Sequence, residues 1–319
     1  MLLEPRPSFG RRIEHMVDLV TGGCGFIGSH IAEQLVRNGR QVRIVDDLST
    51  GYEHNIAGLD LELVIGDVSD PEVADRVCAD VENIYHLAAR PSVPFSIEHP
   101  QLAYQANHQS TLSLIEAATT HGAHSVVFSS SSAVYGDEPT LPKQEDCSLA
   151  PMSPYADHKL AGEQALAASS LNTVALRYFN VFGPKQDPSS PYSGVISLFS
   201  KWASENIAAN VVGDGLQTRD FVFVDDVVGA NLLATTYANA NPGSAVMNIA
   251  TGNAITILEL WQNICAICDF EDAPFNYSPA REGDIRESVA DICRAQQLLG
   301  YSANTSLLDG LRKCLAASC

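Results

Sequence analysis

VDLVTGGCGFIGSH, residues 17–30, is the stretch of sequence that decides the fold. Its apolar start is rich in β-branched side chains and predicts a buried parallel strand that ends in a glycine-dense turn. Gly23, Gly25 and Gly28 satisfy the pattern G-x-G-x-x-G, Gly22 precedes them, and residues 31–37 continue as an amphipathic helix. Glycine suits this turn because a Cβ atom would block the approach of backbone N–H groups to a pyrophosphate, or the packing of helix on strand. The stretch therefore predicts a strand–turn–helix unit that binds a dinucleotide.

The strand that follows supports this prediction. Residues 42–45 form a second apolar run, which ends at Asp46. An acid at the end of the next strand, about 20 residues on, is placed to accept hydrogen bonds from an adenosine ribose and to repel a 2′-phosphate. A glycine-rich turn alone would be weak support, because such turns are common in structural roles, but the acid favours dinucleotide binding. We therefore expect NAD, rather than NADP, as the cofactor.

The composition excludes several classes of protein. The chain has 319 residues and a formal net charge of −19, which argues against nucleic acid or an anionic membrane as a partner. It contains no apolar run of the roughly 20 residues that a membrane-spanning helix requires, and residues 1–15 lack the apolar core of a signal peptide. We expect residues 1–15 to be a mobile extension, and the protein to be cytoplasmic with its eight cysteines reduced. Cys265 and Cys268 form a C-x-x-C pair without a second pair, so core packing is favoured and no metal site is expected.

Strands and helices are predicted to alternate along the first half of the chain. Apolar runs at residues 61–65, 83–89 and 125–128 predict strands, and residues 71–79 and 100–121 predict helices. Such alternation is typical of a doubly wound parallel sheet of the Rossmann type, with helices on both faces. The expected fold class is therefore α/β.

Two polar stretches bring acid–base chemistry to this framework. Four serines at residues 129–132 follow a predicted strand and face the crevice where a substrate would lie. Tyr155 and Lys159 are four residues apart, so on a helix they share one face. A nearby ammonium and a positive nicotinamide ring both favour phenolate, which would let the tyrosine act as a base at neutral pH. A Tyr-x-x-x-Lys pair alone is common, but here it accompanies a dinucleotide fingerprint.

The sequence from residue 17 to about residue 315 resembles the extended short-chain dehydrogenase/reductases, and within them the nucleotide-sugar 4-epimerases. The resemblance implies a Rossmann-type domain over residues 16–180, to which residues 222–250 return, and a smaller carboxyl-terminal UDP-sugar-binding domain built from residues 181–221 and 251–319. It also implies a homodimer in which two helices of each subunit pair. The motifs that carry it are TGGCGFIG at 21–28, VDDLSTG at 45–51, GDV at 66–68, HLAA at 86–89, SSSSAVYG at 129–136, YADHK at 155–159, RYFNVFGPKQDP at 177–188, GDGLQTRDFVFVDD at 213–226 and REGDIRESVAD at 281–291.

The implied activity is epimerisation through a 4-keto sugar. Tyr155 would take the proton of the sugar's 4-hydroxyl, Ser131 would hydrogen-bond that oxygen, and Lys159 would hold the nicotinamide ribose, while hydride moves from C4 to NAD and back. Ser132 and Ala133 stand where the related 4,6-dehydratases carry Asp-Glu, and decarboxylating relatives also keep that glutamate, so epimerisation is favoured. A non-catalytic, NAD-binding regulatory protein is a minor alternative, because it would be expected to have lost one of the three catalytic residues.

The resemblance also assigns residues to the two ligands. The cofactor would be bound by Gly22, Gly25, Phe26, Ile27, Gly28, Asp46, Asp47, Ser49, Thr50, Gly51, Asp67, Val68, Leu87, Ala88, Ala89, Asn107, Tyr155, Lys159 and Tyr178. The UDP-sugar would be bound by Ser92, Ser131, Asn180, Val195, Val212, Arg219, Arg281, Asp284 and Ser288, with the two arginines on the diphosphate.

Ser288 bears on which sugar is bound. In the glucose-specific members a tyrosine stands at this position beside the sugar's C2 substituent, whereas a small residue leaves room for an N-acetyl group. The chain is thereby similar to the members that interconvert UDP-N-acetylglucosamine and UDP-N-acetylgalactosamine. UDP-glucose and UDP-glucuronate stay open as substrates, since their epimerases share the same machinery.

Overall fold

A computed structural model of the chain describes residues 17–187, 194–270, 273–279 and 285–317. The predicted extension at residues 1–15, and the predicted ligands Arg281 and Asp284, lie outside these ranges. The strands are β1 (Val17–Thr21), β2 (Gln41–Asp46), β3 (Glu62–Ile65), β4 (Val81–His86), β5 (Ser125–Ser131), β6 (Asn172–Tyr178), β7 (Asn180–Phe182), β8 (Ala209–Val212), β9 (Thr218–Phe223), β10 (Ser244–Ile249), β11 (Ala254–Thr256) and β12 (Phe275–Ser278). The α-helices are α1 (Phe26–Arg37), α2 (Pro71–Cys78), α3 (Val93–Glu98), α4 (Pro100–Tyr104), α5 (Ser110–His121), α6 (Pro154–Ala168), α7 (Val195–Ser204), α8 (Val224–Ala240), α9 (Ile257–Ile267), α10 (Cys293–Leu299) and α11 (Leu307–Ala317).

A parallel seven-stranded sheet forms the centre of the fold, in the order β10-β6-β5-β4-β1-β2-β3. The strand order reverses beside β1, between β1 and β4, and open α/β sheets bind their ligands at such a switch point. Consecutive residues of a strand point to opposite faces, so Leu19 packs into the core on one face and Val20 into the core on the other. The predicted α/β class with a parallel sheet is confirmed.

Helices cover both faces of this sheet. On one face Ile31 of α1 packs with Ala234 of α8 and Ala295 of α10. On the other face Val77 of α2 packs with Leu114 of α5, and α6 closes the same layer. This doubly wound arrangement leaves the carboxyl ends of the strands open along one edge of the sheet.

The fourth strand is shorter than the prediction of residues 83–89, because it ends at His86. Thr21 Oγ1 accepts hydrogen bonds from Leu87 N and Ala88 N, both at 3.1 Å. Leu87 N also donates to Thr21 O at 3.1 Å, so the chain begins to turn across the sheet edge at Ala88, where the amide bonds the side chain of β1.

The helix predicted over residues 100–121 is interrupted. A π-helical turn, Gln105–Gln109, lies between α4 and α5. π-Helical turns occur often at functional sites because the extra residue re-aims the side chains around it. Here it buries Asn107, one of the residues predicted to bind the cofactor.

The carboxyl-terminal third builds two smaller sheets, β11-β9-β7 and β12-β8. They share a core with α7 and α9, in which Trp261, Phe199 and Phe182 are fully or almost fully buried. Cys265 lies inside this core, and Cys268 packs against it. β10 returns to the large sheet by pairing with β6, whereas the exact division into two domains stays a prediction. In the described residues no helix is long and apolar enough to cross a membrane.

Candidate active site

A cavity of about 830 Å³ opens along the carboxyl ends of β1 to β6. It gathers residues that are far apart in the sequence, from the glycine-rich turn after β1 to the segment after β7. The residues with predicted roles that line it are Gly22, Gly25, Phe26, Ile27, Gly28, Asp46, Asp47, Ser49, Thr50, Asp67, Val68, Leu87, Ala88, Ala89, Ser92, Ser131, Tyr155, Lys159, Tyr178 and Asn180.

The glycine-rich turn leaves no room for side chains. Gly22 has a φ of +68°, and a Cβ atom there would lie 2.9 Å from Ala88 N. A Cβ atom on Gly28 would lie only 2.3 Å from Gly22 O. The turn and the first turn of α1 are therefore packed backbone against backbone, which lets a ligand's phosphates approach main-chain N–H groups.

The amino end of α1 is prepared for an anion. The helix begins at Phe26, and its N-cap is Gly25. Because glycine has no side chain, the cap residue itself does not bond the first N–H groups of the helix. The first turn carries no acidic residue, and Arg37 lies in the last turn. Free N–H groups and the positive end of the helix dipole both favour a phosphate at this point.

Asp46 lies at the end of β2, almost fully buried, and holds the loop around the ribose position. Its carboxylate accepts hydrogen bonds from Cys24 N and Leu48 N, both at 2.9 Å. Burial raises the pKa of Asp46, and these two backbone hydrogen bonds oppose the shift. Each carboxylate oxygen keeps a lone pair beyond these bonds, so hydroxyl groups of a ribose can still donate to it.

Two further acids line the same side of the cavity. Asp67 Oδ2 accepts from Gln105 Nε2 at 3.0 Å. Asp47 Oδ2 lies 4.0 Å from Arg90 Nη2, and Arg90 Nη1 also donates to Ser49 O at 3.2 Å. The cavity therefore pairs its acids with neutral or positive donors instead of presenting a uniformly negative wall.

His86 is held neutral beneath the cavity floor. Thr21 Oγ1 already accepts two backbone hydrogen bonds, so its own proton is directed to His86 Nδ1 at 2.8 Å. His86 Nε2 then carries the ring proton and lies 3.0 Å from Thr111 Oγ1. Burial, helped by the charge of Lys159, lowers the pKa of His86 to about 3. The neutral ring ties β1, β4 and α5 together where the chain turns across the sheet edge.

Ser131, Tyr155 and Lys159 converge at the middle of the cavity. Ser131 ends β5, and its Oγ accepts from Ala133 N at 3.2 Å and hydrogen-bonds the Tyr155 side chain. Lys159 is almost fully buried, its Nζ donates to Ser129 O at 2.7 Å, and it lies 6.0 Å from the centre of the Tyr155 ring. Ser153 caps α6 by accepting from Ala156 N, which fixes the helix that carries both residues. The arrangement places a phenol, a hydroxyl and an ammonium together on the wall of the cavity.

The protonation states of these groups follow from their burial. Burial raises the pKa of Tyr155, and the hydrogen bond with Ser131 works against the rise. Burial lowers the pKa of Lys159 to about 7, and Glu163 works against that fall. The sequence predicted a phenolate favoured by the ammonium; in the chain itself, burial instead raises the pKa of Tyr155. The charge state of Lys159 is therefore finely balanced at neutral pH.

Asn107 acts on the cavity through the backbone. Its Oδ1 accepts from Arg90 N at 2.6 Å, and its Nδ2 donates to Arg90 O at 3.3 Å. Asn107 does not line the cavity but fixes the chain just after Leu87, Ala88 and Ala89. The π-helical turn explains the placement, because it buries this side chain against the loop.

Other residues with predicted roles lie away from the cavity, and their roles stay predictions. Gly51 packs behind it, where a Cβ atom would lie 2.9 Å from Cys24 C. Val195 begins α7 and Val212 ends β8. Arg219 of β9 lines a second cavity of about 330 Å³, and its Nη1 donates to Thr218 O at 2.8 Å. Ser288 is nearly buried, next to Val289, whose carbonyl accepts from Lys143 N at 2.8 Å.

Sequence reasoning missed several residues that line the cavity. Tyr52 and Asp187 meet across its edge, with Tyr52 Oη donating to Asp187 Oδ2 at 2.7 Å. Lys185 Nζ donates to Asn55 O at 2.9 Å and joins the same two segments. Nothing in the spacing of these residues indicates the contact, although the motif RYFNVFGPKQDP contains two of them. Ser129 and Ser130, which belong to the predicted serine run, also line the cavity. The lining residues without an earlier prediction are Val45, Gly66, Pro91, Phe95, Ala106, Ser110, Phe179, Val181 and Gly194.

Comparison with known proteins places this cavity in a family. Residues 19–250 match the profile of the NAD dependent epimerase/dehydratase family. The chain belongs to this family. A putative UDP-glucose 4-epimerase of Methanocaldococcus jannaschii is 36% identical over 301 residues, which cover 92% of this chain and 96% of that protein. The cofactor is accordingly NAD, as the glycine-rich turn and Asp46 predicted, and the chain is an enzyme.

Two solved structures share the whole fold with this family member. The UDP-glucose 4-epimerase of Thermotoga maritima with UDP-glucose has a TM-score of 0.89 and 34% identity, covering 95% of this chain and 98% of that one. The UDP-N-acetylglucosamine 4-epimerase of Methanobrevibacter ruminantium, in complex with UDP-N-acetylmuramic acid, has a TM-score of 0.89 and 35% identity, with the same coverage of 95% and 98%. The predicted resemblance to nucleotide-sugar epimerases is confirmed at the level of the family.

Proposed function

We propose that the chain is a UDP-sugar 4-epimerase that acts through a 4-keto intermediate. The observation that carries the proposal is the convergence of Ser131, Tyr155 and Lys159 on a cavity whose other half is the dinucleotide-binding turn. The relatives support it, since the similar proteins named above are 4-epimerases of UDP-sugars.

The chain's own residues suit oxidation at C4. Tyr155 receives the proton of the sugar's 4-hydroxyl, and Ser131 holds that oxygen by a hydrogen bond. Tyr155 must be a phenolate before it can accept the proton of the sugar's 4-hydroxyl, and the Lys159 ammonium stabilises that phenolate. NAD, held by the glycine-rich turn and Asp46, would supply the acceptor for the C4 hydride and the means of returning it. Tyr155 then gives the proton back to the reduced oxygen, which leaves the protein ready for another turnover.

The residues after Ser131 favour epimerisation over elimination. Ser132 and Ala133 open a short 3₁₀ helix, Ser132–Tyr135, directly beside the catalytic serine. Removing water from C5 and C6 needs an acid and a base near those carbons, and neither of these side chains can supply one. Epimerisation at C4 needs only the group that takes and returns one proton.

The substrate we propose is UDP-N-acetylglucosamine, interconverted with UDP-N-acetylgalactosamine. The support from Ser288 comes from its place in the sequence, where the glucose-specific members carry a tyrosine beside C2; in the structure Ser288 is nearly buried and lies outside the lining of the 830 Å³ cavity. The Methanobrevibacter structure is a named relative with this specificity. The Methanocaldococcus and Thermotoga proteins carry the name UDP-glucose 4-epimerase, so UDP-glucose is the main alternative, and UDP-glucuronate is the second.

We also propose a homodimer in the cytoplasm. Leu102 and Tyr104 of α4 and Leu112 of α5 are apolar side chains exposed on adjoining helices. A second copy of the same helices would bury them in an isologous contact. Sedimentation of the purified protein tests this directly, because a monomer at micromolar concentration would contradict it.

The function is tested by incubating the purified protein, without added NAD, with each of three UDP-sugars. These are UDP-N-acetylglucosamine, UDP-glucose and UDP-glucuronate, and anion-exchange chromatography follows conversion to the galacto isomers. We expect fastest conversion of the acetylated sugar. Conversion of UDP-glucose alone would overturn the argument from Ser288 but keep the 4-epimerase, whereas conversion of none of them, with or without added NAD, would overturn the proposed function.

A further inference from the structure

Lys159 sits in surroundings that disfavour its charge. Its Nζ donates to Ser129 O at 2.7 Å and lies 4.9 Å from the centre of the Phe128 ring. The side chain is almost fully buried, so water does little to stabilise the ammonium. The proposed reaction nevertheless needs this ammonium, because it stabilises the Tyr155 phenolate.

Glu163 lies one helical turn beyond Lys159 on α6 and is itself nearly buried. Arg177 binds it with two parallel hydrogen bonds, Nε to Oε1 at 2.9 Å and Nη2 to Oε2 at 2.8 Å. Ser130 Oγ also donates to Glu163 Oε1. The carboxylate therefore has a fixed position between β5, β6 and α6.

Three consecutive serines of β5 divide the contacts between them. Ser129 binds Lys159 through its carbonyl, Ser130 binds Glu163 through its hydroxyl, and Ser131 hydrogen-bonds Tyr155. Residues four apart on a helix are neighbours, so Tyr155, Lys159 and Glu163 form one row facing this strand.

We propose that Glu163 is a positioning residue for the 4-epimerase reaction, which fixes α6 against the serine strand and supplies the negative charge that keeps Lys159 protonated. The inference rests on the proposed function, because only that reaction gives the Lys159 charge its role. Arg177 holds the carboxylate in place through its two hydrogen bonds, behind the catalytic residues.

The other titratable groups that face Lys159 do not replace this charge. His86 on β4 is neutral, because burial lowers its pKa to about 3. Tyr178 on β6 is neutral as well, because burial raises its pKa well above the usual value. Tyr155 precedes Lys159 on α6 and is the group whose ionisation the ammonium is meant to support. Glu163 is the carboxylate that raises the pKa of Lys159 against the effect of burial.

The test is the pH at which Tyr155 ionises, measured on the NAD-loaded protein by tyrosinate absorbance. The Tyr155→Phe variant gives the background to subtract, and the reading does not depend on turnover. In Glu163→Gln the Lys159 ammonium loses its proton at lower pH, so we expect the Tyr155 transition to move to higher pH. We also expect kcat at neutral pH to fall about tenfold, the size of a one-unit change in proton affinity. In Glu163→Asp the charge remains, so the transition should stay close to that of the unchanged protein.

Asp18→Asn is the matched control. Asp18 is a buried carboxylate that Arg40 binds with two hydrogen bonds, at 2.7 and 2.9 Å, but at the opposite end of the sheet. Its loss should lower the free energy of unfolding and leave the Tyr155 transition unmoved. Equal shifts in Asp18→Asn and Glu163→Gln, or no shift in Glu163→Gln, would overturn the proposal.

A variant that avoids an unpaired buried arginine covers the case in which Glu163→Gln fails to fold. Glu163→Met combined with Arg177→Met replaces the whole pair by apolar side chains, a change that buried ion pairs often tolerate. We expect an upward movement of the Tyr155 transition in this protein that is smaller than in Glu163→Gln, because the positive charge of Arg177 is removed together with the carboxylate. An unmoved transition would overturn the proposal. Failure of the proposed function shows separately, as an unchanged protein that converts no UDP-sugar.

Discussion

The two ends of the central sheet bury polar groups in different ways. At the amino end, Asp18 accepts from Arg40 and from Asn83 Nδ2, and Asn83 Oδ1 accepts from Ser125 Oγ at 2.9 Å and Asn239 Nδ2 at 3.0 Å. These groups satisfy one another and leave little bonding capacity for a ligand. They hold β1, β4 and β5 together and are not among the residues that line the 830 Å³ cavity.

At the carboxyl end of the sheet, strands finish with polar groups whose bonding is incomplete. Asp46, Asp67 and Ser131 each bond the surrounding chain on one side and face the cavity on the other. Buried polar groups are normally paired, so such groups mark the place where ligands complete the pairing. The comparison teaches that this protein keeps its stabilising polar network and its reactive one at opposite ends of the same sheet.

The largest expected effect comes from removing the phenol at the carboxyl end. Tyr155→Phe should lower kcat about a thousandfold, within the range for loss of a general base, and leave the free energy of unfolding almost unchanged. Tyr301→Phe is the control, because Tyr301 Oη donates to Ala250 O at 2.8 Å away from the cavity. The control should lose about 1 kcal/mol of stability and keep its activity. A Tyr155→Phe protein with near-normal kcat would break the comparison.

A methyl group added to the glycine-rich turn should lower both the free energy of unfolding and the amount of NAD that stays bound during purification. In Gly28→Ala the new Cβ would meet Gly22 O at 2.3 Å, so backbone must move. We expect a loss of about 3 kcal/mol in the free energy of unfolding and purification without NAD. Gly229→Ala in α8 meets nothing within 4 Å and should stabilise the protein by about 0.5–1 kcal/mol. NAD content measured after denaturation, together with urea unfolding, checks the pair, and a Gly28→Ala protein that keeps its NAD would contradict the account of the turn.

A smaller effect, counted per pH unit, should appear in the free energy of unfolding as the pH changes. It comes from His86, which ends β4. The pKa of His86 is lowered to about 3 in the folded chain, below the value near 6.5 of an unfolded histidine. The unfolded state therefore binds the extra proton first, and the stabilisation present above about pH 6.5 is lost as the pH falls toward 3. His86 should contribute about 1.4 kcal/mol of lost stability per pH unit in this window.

Urea unfolding of the unchanged protein and of His86→Asn, at several pH values between 7 and 4, measures that slope. The variant is less stable at pH 7 because it lacks the bonds to Thr21 and Thr111, but its stability should fall less steeply. Parallel slopes in the two proteins would show that His86 is not the group that titrates.

Local patterns predicted much of this molecule. The glycine-rich turn, the strand ending at Asp46 and the Tyr155–Lys159 pair each lie within one short stretch, so spacing alone places them. The parallel sheet follows from the order of apolar runs. These parts of the fold, and the kind of cofactor that is bound, depend on residues that are close in sequence.

Contacts between distant segments account for what sequence reasoning missed. The early end of β4 depends on a threonine hydroxyl of β1, and the π-helical turn that buries Asn107 depends on the backbone of Arg90. The pairing of Glu163 with Arg177 joins α6 to β6, and no spacing rule connects them. Each of these contacts can be predicted only when it is known which distant segments lie next to each other in the folded chain.

The most direct test of the central claim uses a UDP-sugar labelled with deuterium at C4. The account predicts that the protein converts it to the C4 isomer with the deuterium still at C4, because the same hydride leaves and returns within one closed site. The product can be read by proton NMR in ordinary water. Loss of the label to solvent during conversion would contradict the 4-keto account, and so would an isomer changed at any carbon other than C4.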